Sequence, residues 1–202
     1  MKVIIRSDSV DIEGYVNLVE RNSKVLYDRT LGKFIERIKT GAFTRALERN
    51  DDVHVLLNHD PVRDLGSQKQ GNLELVEDPI GLFARTTITD PETMEDAKNG
   101  NLVGWSFGFT DVPDGVVRGM EDDIPLRKLN DLNLIEVSIL NRKRVPAYEG
   151  TLIYTRSEDE EVYHSEEMED VEYIREEEPK QPEAVAIDYS NYEQIIAEMK
   201  GE

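Results

Sequence analysis

The chain of 202 residues contains no cysteine. That absence excludes a disulfide framework, a thiolate nucleophile and any cysteine-ligated zinc or iron–sulfur site. A reducing cytoplasm is therefore the expected compartment. No apolar run approaches the ~18 residues that a membrane span requires, so no membrane partner is expected. Residues 1–6 lack the long apolar stretch of a secretory signal. Histidine is scarce, with three residues in all. His54 and His59 have no carboxylates at the helical spacing of a metal site, so no metal is expected. No glycine-rich phosphate loop is present either, and no cofactor is expected. Basic residues are few: 24 Lys and Arg stand against 43 Asp and Glu, a net charge of −19. Nucleic-acid binding led by phosphate contacts is therefore not expected.

The acidic excess is concentrated at one end. Residues 157–202 hold 17 acids and three bases, whereas residues 1–156 have a net charge of only −5. Three regions follow from this. Residues 1–156 read as a folded domain. Residues 157–188 are charged and poor in aliphatic side chains, the composition of a disordered linker. Residues 189–202 read as a short amphipathic helix. There Ser190 and Glu193 make a capping box, Tyr192, Ile195, Ile196 and Met199 form one apolar stripe, and Gly201 is a stop.

Inside the first region the patterning is mostly of strand type. Residues 2–6 and 10–18 are short β-branched runs, with Gly14 placed for a bulge. Residues 33–50 look helical, with Phe34 and Ile38 on one face and Phe43 and Leu47 on the next. Thr40-Gly41 divides them into two short helices, and Thr40 is positioned to cap the second. Residues 53–57 form an apolar strand that ends at Asn58-His59-Asp60-Pro61, since Pro61 cannot continue a central strand. Residues 72–76 and 80–88 read as a strand pair. Residues 91–99 read as a short helix closed by Gly100. In 103–110, Trp105, Phe107 and Phe109 alternate with Gly104, Ser106 and Gly108, which is the period of a strand. A polar loop runs to Asp123, and residues 128–140 form the last clear strand region. The expected class is mainly β with peripheral helices.

Three residues carry potential chemistry. His59 sits at a strand end beside a chain-turning proline. Ser106 lies on the small-residue side of its strand, where flanking glycines leave room around the hydroxyl. Glu136 is an acid inside an apolar strand, and burying an unpaired carboxylate is costly, so it needs a partner or water. Each has an ordinary reading when taken alone: a solvated histidine, a close-packed serine, an outward-facing glutamate. Together they supply the nucleophile, base and orienting acid of acyl-transfer chemistry, in the chain order His, Ser, acid. His164 falls in the acidic region and reads as a solvated bystander.

A series of motifs extends this picture: Gly14-Tyr15-Val16; Phe34-Ile35-Glu36 leading to Gly41-Ala42-Phe43; Leu56-Leu57-Asn58-His59-Asp60-Pro61 with Leu65-Gly66; Gly81-Leu82; Gly104-Trp105-Ser106-Phe107-Gly108-Phe109; Ile135-Glu136-Val137-Ser138-Ile139-Leu140; and Pro146-Ala147-Tyr148. In their order and spacing, over about residues 14–151, they resemble the prohead (capsid maturation) proteases of tailed bacteriophages. The resemblance implies a serine endopeptidase related to herpesvirus assembly proteases, with a β-barrel-like core. It makes His59 the base, Ser106 the nucleophile and Glu136 the third member, with Asp60 as a rival acid. Oxyanion donors would come from residues 141–145, with Arg142 or Arg144 contributing. Asn141-Arg142-Lys143-Arg144-Val145 is more polar than the family pattern at that loop.

The implied setting is the assembling prohead in the host cytoplasm. The implied partners are the scaffold protein or the scaffold-like extension of the major capsid protein, with the protease also cutting itself. Herpesvirus relatives dimerise, which leaves a homodimer open. The helix at 189–202 is placed to dock on capsid or scaffold helices. The competing expectation is a non-enzymatic acidic scaffolding or capsid assembly factor. A further one is an unrelated β-rich binding domain with a regulatory tail.

Overall fold

The computed structural model describes residues 1–28, 32–142, 155–157, 160–168 and 171–176. The first elements are β1 (Lys2–Ile5), β2 (Val10–Leu18), β3 (Leu26–Asp28), β4 (Gly32–Ile38) and α1 (Ala42–Arg49). Two hairpins follow, β5 (His54–Leu57) with β6 (Asp60–Ser67), and β7 (Leu73–Glu77) with β8 (Gly81–Ile88). Next come α2 (Pro91–Lys98), β9 (Leu102–Asp111), β10 (Val116–Glu121), β11 (Ile124–Leu129) and β12 (Leu132–Asn141). β13 (Thr155–Ser157), β14 (Glu160–Met168) and β15 (Glu172–Arg175) lie beyond them.

The strands make three sheets, in the orders β15-β1-β2-β8-β7, β10-β11-β4-β3 and β13-β14-β9-β12-β5-β6. Neighbours run antiparallel except β1 with β15, β4 with β11 and β5 with β12. The fold is thus mainly β with peripheral helices, as expected. The expected barrel is not found: among the described residues each sheet ends on strands bonded along one side only, so no sheet closes on itself.

Aromatic side chains on β9 anchor the core. Trp105, Phe107 and Phe109 are all buried. Phe107 stacks on Phe109 with centroids 5.3 Å apart, and meets Phe43 of α1 edge-on at 5.4 Å. Both geometries suit the ring quadrupole. Gly104, Ser106 and Gly108, on the other face of β9, are buried as well. The alternation of bulky and small residues is real, but both faces are covered.

Several local expectations change. Residues 33–38 form strand β4 rather than a helix. Phe34 and Ile38 satisfy a four-residue spacing, yet Phe34, Glu36 and Ile38 are also all buried at a two-residue spacing. With β3 and β11 on its two sides, β4 takes the strand solution. The cap of α1 is not Thr40, whose N–H and hydroxyl both reach Glu20. Gly41 holds the cap position in a left-handed conformation (φ 86°), without a side chain to offer. Glu77 of β7 supplies the missing acceptors, taking the N–H groups of Gly41 at 2.7 Å and Thr44 at 2.6 Å. A carboxylate there also complements the helix dipole. By contrast, α2 follows its local signals: Asp90 accepts from the Thr93 N–H at 2.8 Å, Pro91 opens the helix, and Gly100 (φ 67°) follows its end.

The polar stretch before Asp123 is not a loop throughout, because β10 forms within it as the partner of β11. Inside 157–188, expected to lack regular structure, β14 pairs with β9 and β15 pairs with β1. Acid content had masked the apolar side chains of Val171 and Tyr173, which pack against the core. The expected strand at 152–154, the Pro146-Ala147-Tyr148 motif and the expected helix at 189–202 lie outside the described residues.

One buried charge makes stability depend on pH. Glu36 on β4 is buried, with Arg127 Nη1 of β11 3.2 Å away and Asp111 on the far side of that guanidinium. Burial pushes the Glu36 carboxyl up from its ordinary 4.5 to about 7, against the opposing pull of Arg127. The folded chain then binds this proton more tightly than the unfolded one. The associated stability is full below the ordinary carboxyl pKa and is lost as pH rises through about 7. Glu36→Gln is expected to remove this dependence. The stability of the wild type relative to the variant should fall between those two pH values, by no more than about 3 kcal/mol. Denaturant melts of both proteins across that range check it, and a constant difference contradicts it.

Candidate active site

Strand register gathers the polar residues. On β12, Glu136 and Ser138 are two apart and share one face. Antiparallel pairing sets Ser138 opposite Ser106 of β9, so Ser106 joins that face. Parallel pairing on the other side of β12 sets Ser138 beside Leu56 and Ile139 beside Leu57 of β5. The chain leaving β5 therefore turns beside Ile139, one residue past Ser138.

That turn is the two-residue link Asn58-His59, with Leu57 paired to Asp60 across it. Both residues have positive φ, 56° and 58°. A tight hairpin turn of the primed type needs this conformation at both central positions, and Asn-Gly is the favoured pair. Asn58 suits its place, whereas histidine stands where glycine is easier. Non-glycine residues held there cost of order 1–3 kcal/mol and cluster at functional sites.

The imidazole of His59 bridges two groups. Its Nε2 lies 2.7 Å from Ser106 Oγ and its Nδ1 lies 2.6 Å from Glu136 Oε1. With Glu136 ionised, Nδ1–H is the donor to the carboxylate. Nε2 is then the free lone pair that accepts from the Ser106 hydroxyl. Ser106 is fully buried, and the His59 and Glu136 side chains are 1 % and 7 % exposed. A hydroxyl on an imidazole that is itself held by a carboxylate is the arrangement that activates a serine for attack on a carbonyl.

A chain of amide side chains secures the turn. Asn58 Nδ2 donates to Asn141 Oδ1 at 2.8 Å, and the Asn141 N–H returns a bond to Asn58 Oδ1 at 3.0 Å. Asn141 Nδ2 then donates to the buried Asp96 of α2 at 2.6 Å. These contacts bear on the expected oxyanion donors. The Asn141 N–H is committed to Asn58, and the Arg142 N–H donates to the Asn101 carbonyl at 2.9 Å. Neither backbone donor faces a substrate here, and residues 143–145 lie outside the described set.

All three predicted residues, His59, Ser106 and Glu136, come together. The rival acid does not join them: Asp60 is exposed and its Oδ1 accepts from the Val62 N–H at 2.9 Å. His54, half-buried, pairs with Asp64 at 2.8 Å and does not join His59.

The sequence profile of the caudovirus prohead serine proteases matches residues 2–166. The chain belongs to that family. The match spans β1 through most of β14 and includes the bridged serine, histidine and glutamate. The protein is therefore a serine protease of the phage prohead, with a role in capsid maturation. No curated protein and no solved structure gives a significant match. Besides the predicted residues, this family member uses Ser138, Asn58, Asn141 and Asp96 in and around the same polar cluster. Ser138 had a signal in the sequence, a second polar residue two positions after Glu136 on an apolar strand. Asp96 had none and Asn141 stood out only as part of the 141–145 loop, since their meeting depends on where α2 packs.

Proposed function

We propose that Ser106, His59 and Glu136 form the catalytic triad of a prohead endopeptidase that works through an acyl-enzyme. The carrying observation is the single imidazole within hydrogen-bond reach of both the hydroxyl and the carboxylate. Ser106 Oγ attacks the scissile carbonyl while His59 Nε2 takes its proton. The imidazolium then gives that proton to the leaving amine. Water, deprotonated by the same Nε2, releases the acyl group and restores Ser106. Glu136 holds the tautomer and stabilises the imidazolium. Ser106 is fully buried at rest.

The substrates in this reading are the scaffold protein or a scaffold-like extension of the major capsid protein, and the chain itself. Strand pairing supports self-cleavage: β14 runs antiparallel along β9 with Glu166 level with Ser106. The acidic region thus passes beside the nucleophile's own strand. Segment 189–202 serves in this reading to carry the enzyme into the prohead. A non-enzymatic assembly factor would have no use for a buried imidazole–carboxylate pair, which is costly to desolvate.

Intact-mass spectrometry over time, wild type beside Ser106→Ala, tests the reading. The wild type is expected to shorten within the acidic region while the variant stays at 23.1 kDa. If both shorten alike, another protease is cutting and the self-cleaving reading fails. If both remain whole, also with assembled capsid and scaffold present, the endopeptidase reading fails.

A further inference from the structure

We propose that Ser138 is a positioning residue that sets the base and the acid of this site relative to each other. The inference rests on the triad reading above. The Ser138 hydroxyl is fully buried on β12 and has two partners in the site. It accepts the backbone N–H of His59 at 3.0 Å and donates to Glu136 Oε2 at 2.6 Å. Glu136 spends its other oxygen on His59 Nδ1. One oxygen therefore grips both ends of the imidazole–carboxylate bond, the histidine through its main chain and the glutamate through Oε2.

The turn makes this grip consequential. His59 hangs from a two-residue link whose residues both have left-handed backbones, a conformation that local sequence does not favour for histidine. Such a backbone persists only where its surroundings over-determine it. The Asn58–Asn141 pair fixes the first residue of the link. The second residue's N–H goes to Ser138. On the acid side, a carboxylate with one oxygen on Nδ1 can still swing about its terminal torsion, which is broad for glutamate. The bond from Ser138 restrains that swing. Both groups are thus set by a residue that sits opposite Ser106 in the β9–β12 ladder. Nucleophile, base and acid share a single reference point in the sheet.

Ser138→Ala removes both bonds without touching a reacting atom. Two readouts decide the matter. The first is the rate of Ser106 modification by a fluorophosphonate, followed by intact mass. The maximal rate is expected to fall about 10- to 100-fold, with the half-saturating concentration nearly unchanged, because orientation rather than binding is lost. The second is the low-field proton resonance of His59 Nδ1–H in protein labelled with nitrogen-15 at its three histidines. It is expected to move or broaden in Ser138→Ala, and by more than in Ser106→Ala. Ser138→Cys keeps a donor at this position, though a weaker and larger one, and should fall between wild type and alanine in both readouts. It also decides the question if the alanine variant does not fold.

An unchanged maximal rate, or an unmoved resonance, in a folded Ser138 variant overturns the proposal. If the reagent labels no serine in the wild type, also with assembled capsid and scaffold present, while the resonance still moves in Ser138→Ala, the positioning role stands and the serine protease mechanism falls.

Discussion

Ser106→Ala and His59→Ala are each expected to lower kcat by about 10⁶-fold, and the double variant by no more than either alone. The reason lies in the single hydrogen bond between them, Nε2 to Oγ at 2.7 Å. Without the hydroxyl there is nothing for the imidazole to deprotonate. Without the imidazole the hydroxyl keeps its proton and is a poor nucleophile. Each substitution therefore disables the same step. Single-turnover cleavage of a peptide spanning a mapped self-cleavage site measures all three variants. Losses that multiply in the double variant would mean that the two residues act independently, and the triad would have to be abandoned. Melting curves accompany the test, because both side chains are buried.

Glu136→Gln is expected to cost about 10⁴-fold in kcat with the fold intact. The amide is nearly the same size as the carboxylate, but its NH₂ donates where an oxygen accepted. Ser138 Oγ and His59 Nδ1 both face that group, at 2.6 Å each. If the amide donates to Nδ1, the imidazole must carry its proton on Nε2. That nitrogen then points a hydrogen at Ser106 and can no longer serve as base. A developing imidazolium also loses its counter-charge. Asp60→Asn is the control: Asp60 is exposed and engaged in its own turn, so kcat should stay within about twofold, as for a surface substitution. Equal losses for Glu136→Gln and Asp60→Asn would refute the assignment of the acid.

Much of this architecture was legible in the sequence where local and tertiary preferences agree. The runs in β1 and β2, the β7–β8 hairpin and the capped α2 each carry their own signals. Misreadings arise where packing decides. Residues 33–38 satisfy two periodicities at once, and only the flanking strands choose between them. The α1 cap is absent from its own sequence because Glu77, 36 residues away, provides it. β15 is hidden by the acids around Tyr173 and appears because β1 offers an edge. The site shows the same division. His59, Ser106 and Glu136 stand out by type, neighbours and motif. That they share one face is a property of register, of β9 against β12 and β12 against β5, which no single segment encodes. Ser138 and Asn141 matter for the same reason.

The pairing of β1 with β15 also sets a timetable for synthesis. Lys2 finds its partner Glu172 only after a further 170 residues have been made. Ribosomes add about 5–20 residues per second, so the outer edge of β1 stands open for roughly 10–30 seconds. During that interval it is a row of unmatched backbone groups, the kind of edge that recruits strands from other chains. The bridged histidine is completed earlier, once Glu136 joins Ser106 and His59. A nascent chain thus has His59, Ser106 and Glu136 in hand before the strand that completes the edge of β1 has left the ribosome.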